Sequence, residues 1–168
     1  GGSSSDSLTY DAARLGAKKT WEAFRFTTSA SATLGNGWLA LAGLSGQYSN
    51  EPLISGEQFG VGGVNSVRGF EERAVSGDRG MRFTLEAWTP PLPYNIRLLG
   101  FLDSGYVKSV DTPPGQIDSE TIVSLGLGLR WRWNDKLSVN FDYGHEVNAA
   151  RATDAGGVKS HISVFYRF

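Results

Sequence analysis

Ser66-Val67-Arg68-Gly69-Phe70 lies in the middle of a long segment, residues 50–78, with no convincing strand pattern. On either side the chain reads as β-strands. Antiparallel strands are normally joined by two to about five residues, and a structureless connection beyond roughly 12–15 residues is usually functional or disordered. This segment holds six glycines, yet also Phe59, Val61, Val64, Val67 and Phe70, too apolar for a free linker. The composition predicts a loop that folds back and packs on something, with Arg68 near its tip.

Working outward, residues 19–34 alternate Phe24, Phe26, Thr28, Ala30, Ala32 and Leu34 with more polar residues. Gly35-Asn36-Gly37 signals a tight turn, and residues 38–48 follow as the partner strand. Beyond the loop, residues 80–88 set Met81, Phe83, Leu85 and Ala87 against Arg82, Thr84 and Glu86. Pro90-Pro91-Leu92-Pro93 ends that strand, because proline cannot donate to a ladder. In residues 95–108, Ile96, Leu98, Leu102 and Tyr106 oppose Arg97, Phe101 and Asp103. In residues 121–133, Val123, Leu125, Leu127, Leu129, Trp131 and Trp133 oppose Ser124, Gly126, Gly128, Arg130 and Arg132. After a short turn at Asn134-Asp135, Leu137, Val139, Phe141 and Tyr143 alternate with Ser138, Asn140, Asp142 and Gly144. Residues 160–168 close the series, with Ile162, Val164, Tyr166 and Phe168 on one face. Seven strands result, most near the length at which a tilted strand crosses a bilayer. Residues 1–17 read as a loop.

Composition bounds the function. The 168 residues carry 16 basic and 17 acidic side chains, net −1, so the electrostatic footprint of a nucleic-acid binder is missing. Cysteine is absent, which excludes a disulfide framework, thiolate zinc sites and thiol catalysis. Only His145 and His161 could contribute imidazole, too few for a histidine-rich metal site. No apolar run approaches the 18 or so residues of a transmembrane helix. The mean hydropathy of −0.24 does not exclude a membrane barrel, whose strands alternate lipid-facing and lumen-facing residues.

Two architectures fit the alternation. In a soluble sandwich the apolar face meets a shared core; in a membrane barrel it meets lipid, and the polar face lines a wet lumen. Three details favour the barrel. Connections alternate in length, short at Asn36 and Asn134 and long at 50–78, 109–119 and 148–158. Aromatics sit at strand ends (Trp38, Trp88, Trp131, Trp133, Tyr106, Tyr143), where interfacial belts form. Arg130 and Arg132 lie between apolar neighbours, which suits a polar lumen.

Arg68 and Asp103 are the candidate site. A loop reaching into the lumen would set the planar guanidinium on a wall carboxylate through paired, charge-assisted hydrogen bonds. Asp103 shares the lumen-facing parity of Arg97 and Phe101. Gly69 would allow a tight backbone turn, and Phe70 would fill space against the wall. On spacing alone a second reading stands: Arg68 exposed, and Asp103 paired with Arg97. Gly60-Val61-Gly62-Gly63 lacks the full dinucleotide fingerprint and its helix, and His145-Glu146 is not a spaced metalloprotease pair. Glu71-Glu72-Arg73 reads as a solvated or loop-packing cluster, and Gly126 and Gly128 as small lumen residues making room for the loop. Neither catalytic residue nor cofactor is expected.

The run Leu53-Ile54-Ser55-Gly56-Glu57-Gln58-Phe59, followed by Gly62-Gly63-Val64-Asn65-Ser66-Val67-Arg68-Gly69-Phe70, resembles the lid-loop motif of two-partner secretion transporters. These are the ShlB/FhaC/HecB haemolysin secretion and activation proteins (TpsB), within the superfamily that includes the BamA and TamA barrels. Ser76-Gly77-Asp78-Arg79-Gly80 is similar to the secretion branch, and Gly100-Phe101-Leu102-Asp103-Ser104-Gly105 to the strand motif facing the loop. Val164, Tyr166 and the terminal Phe168 resemble the signal by which the barrel assembly machinery recognises barrels for insertion.

The resemblance covers about residues 19–168. It implies an all-β fold, an antiparallel transmembrane β-barrel in the Gram-negative outer membrane. The lid motif Val67, Arg68, Gly69 and Phe70 would face a wall motif of Phe101, Asp103 and Gly105. Family barrels have sixteen strands preceded by periplasmic POTRA domains. Residues 1–168 are therefore expected to be the C-terminal half of one barrel, with the POTRA domains and N-terminal strands lying outside them. Implied partners are a secreted exoprotein client (TpsA-like), such as a haemolysin or adhesin, and outer-membrane lipid, with no nucleic acid. The alternatives are a barrel-assembly factor of the BamA/TamA type, a passive porin or a soluble β-domain.

Overall fold

A computed structural model describes residues 13–17, 19–112, 115, 117–148 and 156–168. Nine strands occur among them: β1 (Phe24–Thr33), β2 (Leu39–Tyr48), β3 (Phe59–Val61), β4 (Val75–Gly77), β5 (Arg79–Trp88), β6 (Ile96–Lys108), β7 (Ser119–Arg132), β8 (Leu137–Asn148) and β9 (Val158–Tyr166). Seven form one sheet in the order β1-β2-β5-β6-β7-β8-β9, and β3 and β4 form a separate ribbon. Every neighbouring pair is antiparallel. Apart from the β3–β4 ribbon the sheet is a meander, the arrangement of a barrel wall.

The alternation read from the sequence sets the two faces. Outward side chains such as Met81, Leu85, Leu127, Ile162 and Val164 are exposed, Leu127 to 68%. Ser45, Gln47, Asp103, Ser124, Asp142 and Glu146 on the other face are buried. Such a pattern inverts a soluble domain and matches a wall with lipid outside.

Boundaries differ from expectation in informative ways. β1 begins at Phe24, not residue 19, and Trp38 and Trp133 fall just outside β2 and β7. β9 ends at Tyr166, so Arg167 and Phe168 lie beyond it, although the Arg167 amide still donates to the Lys136 carbonyl. Short connections use left-handed backbone: Asn36 has φ 61°, Tyr94 φ 63° and Asn95 φ 56°. At the β7–β8 turn the Asn134 side-chain oxygen accepts the Lys136 and Leu137 amides at 2.9 and 2.8 Å. Of the long connections expected, 149–155 lie outside the described residues, as do 1–12 of the N-terminal loop.

Two expectations are overturned. The segment 50–78 is not devoid of strand, since Phe59–Val61 pairs with Val75–Gly77. Three-residue strands diluted by Gly60, Ser76 and Gly77 leave too short an alternation to notice. Trp88 does not join an outward aromatic belt. It shares the inward parity of Arg82, Thr84 and Glu86, and its indole N–H donates to Glu86 Oε2 at 2.8 Å. A half-buried carboxylate offers that donor a partner, and lipid offers none.

Candidate functional site

The loop lies against the inward face of the sheet. Val61, Val67, Phe70 and Val75 from the loop pack with Val107 of β6 and Ile122 of β7, flanked by Phe59 and Ala74. All six are buried to within 4% of full enclosure. Wall glycines admit them. A Cβ at Gly105 would fall 2.9 Å from Val61 Cβ and 3.1 Å from Val67, and one at Gly80 would fall 2.5 Å from the Phe59 ring. Fully burying one such side chain is worth about 1.5–3 kcal/mol, so this patch is the main adhesive.

Arg68 supplies position. Its Nε and Nη2 donate to the two oxygens of Asp103 at 2.7 and 2.9 Å, and its backbone amide adds a third bond at 3.1 Å. Thr84 of β5 donates to the same carboxylate at 2.6 Å. The third nitrogen, Nη1, lies 2.7 Å from Glu86 of β5 and 3.7 Å from Asp142 of β8. Asp142 in turn accepts Arg130 Nη2 of β7 at 2.8 Å. The guanidinium carbon stacks 3.6 Å from the centre of the Phe101 ring. Asp103 is fully buried and Arg68 nearly so, so each nitrogen must find an acceptor, because unpaired buried charge is costly.

Gly69, with φ +98°, turns the tip where an L side chain is strained. It meets β8 at Gly144, where a Cβ would come 2.7 Å from the Gly69 nitrogen. Thus Arg68 lies on Asp103 and Phe101 and Val67 beside Gly105, while Gly69 meets Gly144 and Phe70 joins the apolar patch with Val107 and Ile122. The alternative pairing of Asp103 with Arg97 is not formed; Arg97 stands opposite Arg130, six residues along β6. Gly126 and Gly128 make room for wall side chains, Phe101 and Leu99 with Asp142, and not for the loop.

Further contacts tie the loop across the whole sheet. Glu57 pairs with Arg25 of β1 at 2.9 Å, and its carbonyl accepts Gln47 of β2 at 2.9 Å. The Asn65 carbonyl accepts Arg82 of β5 at 2.5 Å, and Glu71 reaches Lys159 of β9. Glu72, from the acidic pair read as solvated or loop-packing, stays exposed but folds back over Gly63 and accepts the Val64 amide at 3.0 Å.

At the rim, Asp78 is fully buried between β4 and β5. It accepts a two-pronged pair from Arg14, with Nη2 at 2.6 Å, and the amides of Leu53 at 2.8 Å and Val110 at 2.6 Å. Burial alone would raise the carboxyl pKa; the Arg14 and backbone hydrogen bonds prevail and hold it below its ordinary value.

Sequence reasoning missed Glu86, Asp142, Arg130 and Gly144 as members of the site, and Arg14 as a partner of Asp78. The four wall residues carried a usable signal, since all have inward parity. Arg14 carried none, being 64 residues from its partner. Val164 and Tyr166 are exposed on the outward face, and Phe168 packs edge-on against Tyr166 at 5.3 Å. Among the described residues no cluster of His, Cys, Asp or Glu is arranged to hold a metal ion, and Arg68 occupies the space between the three carboxylates.

Comparison with known proteins agrees with this fold. Residues 11–131 match the family model described as haemolysin secretion/activation protein ShlB/FhaC/HecB. The outer membrane transporter CdiB of Dickeya dadantii (strain 3937) is 39% identical over 97 residues, covering 55% of this chain and 17% of that protein. CdiB of Escherichia coli O6:K15:H31 (strain 536 / UPEC) is 35% identical over 96 residues, covering 55% and 16%. The chain thus spans about a sixth of the length of these curated relatives. The solved structure of CdiB from Acinetobacter baumannii superposes with a TM-score of 0.68 at 23% identity, over 85% of this chain and 26% of that one; this likeness shows the fold. The seven-stranded sheet is a wall segment of a Gram-negative outer-membrane β-barrel, and the chain belongs to the ShlB/FhaC/HecB haemolysin secretion/activation family.

Proposed function

We propose that this chain forms the C-terminal part of a larger outer-membrane pore that secretes one large partner exoprotein, a haemolysin or adhesin, by two-partner secretion. Further strands would complete the barrel, and periplasmic POTRA domains would receive the client before it enters. Two open sheet edges support the larger barrel, because unpaired edge groups within lipid cost several kcal/mol each. The observation that carries the secretion reading is a loop seated on the lumen wall and registered by one guanidinium among Asp103, Glu86 and Asp142, in a chain of the secretion/activation family. Such a loop narrows the lumen while leaving the barrel hydrogen bonds intact, so it is suited to gate a chain passing extended through the pore. Val164, Tyr166 and Phe168 would serve earlier, as the signal read by the barrel assembly machinery.

The test is made on the full-length parent in its own host. The gene is deleted, and culture supernatant and outer membrane are compared by mass spectrometry. Loss of one large exoprotein with other barrels intact is the expected result. Broad depletion of outer-membrane barrels would make the protein an assembly factor instead, and no change in either would leave a passive pore.

A further inference from the structure

Below the Arg68 level, toward the short-turn end, the inward face changes character. Trp88, Arg97, Arg130, Arg132, Ser138 and Asn140 line a half-open recess of about 590 Å³. Short turns face the periplasm in outer-membrane barrels, so an entering chain meets this surface before it meets the loop. Three arginines converge there. Arg97 and Arg130 face each other across β6 and β7, and Arg132 follows two residues along β7. Arg130 is engaged by Asp142, whereas Arg97 and Arg132 have no carboxylate partner among the described residues. The nearby acids are otherwise committed. Glu86 gives one oxygen to Arg68 and the other to the Trp88 indole, and only Asp135 stands in the adjoining turn.

The recess also connects to the loop tip. Arg68 contacts Glu86, Glu86 accepts Trp88, the Arg130 guanidinium lies 5.5 Å from the Trp88 ring, and Asp142 joins Arg130 back to Arg68. A ligand on Arg130 therefore touches the same closed ring of side chains that holds the loop.

We infer that this recess is a transient docking site for carboxylate-bearing stretches of an extended polypeptide entering from the short-turn end. The inference rests on reading the barrel as a polypeptide-conducting pore. Charge complementarity selects the occupant: a forked guanidinium pairs with a carboxylate, and Trp88 offers a flat apolar face beside it. Charge contacts open to water are individually weak. That weakness fits a conducting path, where binding must be loose enough to release.

The experiment uses the purified full-length barrel in a planar lipid bilayer, with an unstructured Asp/Ser peptide or its Asn/Ser counterpart added on the short-turn side. In the wild type the acidic peptide interrupts the current about tenfold more often, and added salt erodes the difference. Arg97→Gln/Arg132→Gln brings the two peptides close to parity, and Arg97→Lys/Arg132→Lys restores most of the difference. Equal interruption by both wild-type peptides overturns the inference, as does full discrimination in the glutamine variant. If the glutamine variant does not fold, salt dependence of the wild type and the lysine variant still decide. The readout needs no natural client. An exoprotein lost on gene deletion, with no discrimination between peptides, rejects the docking site alone. Discrimination with no exoprotein lost upholds the docking site and rejects the secretion reading.

Discussion

Arg68 contributes position more than adhesion. Burying an ion pair carries a desolvation cost that cancels much of its attraction, yet removing one partner leaves the other charge stranded, at about 3–5 kcal/mol. Arg68→Ala strands Asp103 and Glu86 while the apolar patch of Val61, Val67, Phe70 and Val75 still holds the loop near the wall. The expected outcome is a loop out of register. Secretion by the full-length protein falls at least about tenfold, on the order of 1.4 kcal/mol or more, while barrel abundance in the membrane stays near normal. Exoprotein in the supernatant, normalised to barrel level, checks this, and undiminished secretion at matched levels removes the loop from the mechanism. Arg68→Lys should fall between, because an ammonium does not reproduce the fork across Asp103 while also meeting Glu86.

Asp78 works at the rim. Its folded-state pKa lies below its ordinary value, so its contribution to stability is full above the unfolded pKa of about 3.9. It is lost as pH falls through the lower folded value. Acid should therefore loosen residues 50–56 and 109–112, read as faster hydrogen exchange corrected for its intrinsic pH dependence. Asp78→Asn should show the looser rim already at neutral pH, with little further change in acid. Equal exchange in the two proteins at neutral pH would remove Asp78 from this role.

At the scale of elements, the loop and β8 meet backbone to backbone. Gly144→Ala places a methyl group 2.7 Å from the Gly69 nitrogen and 2.9 Å from the Arg68 carbonyl carbon, and neither atom belongs to a flexible side chain. The tip must lift. Single-channel conductance of the full-length barrel should rise and become noisier, whereas Gly43→Ala, with nothing within 4 Å of the added carbon, should behave as wild type.

The sheet strands were legible because parity is a local property: Met81, Phe83 and Leu85 against Arg82, Thr84 and Glu86 need no knowledge of neighbours. The ribbon was not, since Phe59–Val61 and Val75–Gly77 are stabilised by lying on Gly80, Gly105 and Val107 more than by their own composition. Parity and charge raised the Arg68–Asp103 pair as one of two readings, and the resemblance of both motifs to those of a family chose between them. Glu86 and Asp142 enter the site through register, which places β5 and β8 on either side of β6 and β7, and no single strand declares its neighbours.

For the whole molecule, inverted patterning sets which substitutions matter. Leu127 faces outward from the middle of β7 and is exposed, so Leu127→Arg puts a charge near the bilayer midplane at a cost of roughly 2–4 kcal/mol. Ser163 of β9 faces inward, opposite Asn140, and Ser163→Arg should change stability by no more than about 0.5 kcal/mol. Denaturant titration of the refolded full-length barrel in lipid vesicles distinguishes them, and equal costs would contradict the assignment of faces.

The loop is fastened at β1, β2, β5, β6, β8 and β9, at Arg25, Gln47, Arg82, Asp103, Gly144 and Lys159. Loop and wall are consequently heritable only as a pair. A chimaera receiving this loop on a foreign wall would bring the key without the lock, since a single side chain in place of Gly144 or Gly105 bars its seating. Exchange between relatives should therefore succeed when the transplanted piece runs from β1 through β9, and fail when the cut is made at residues 50 and 78.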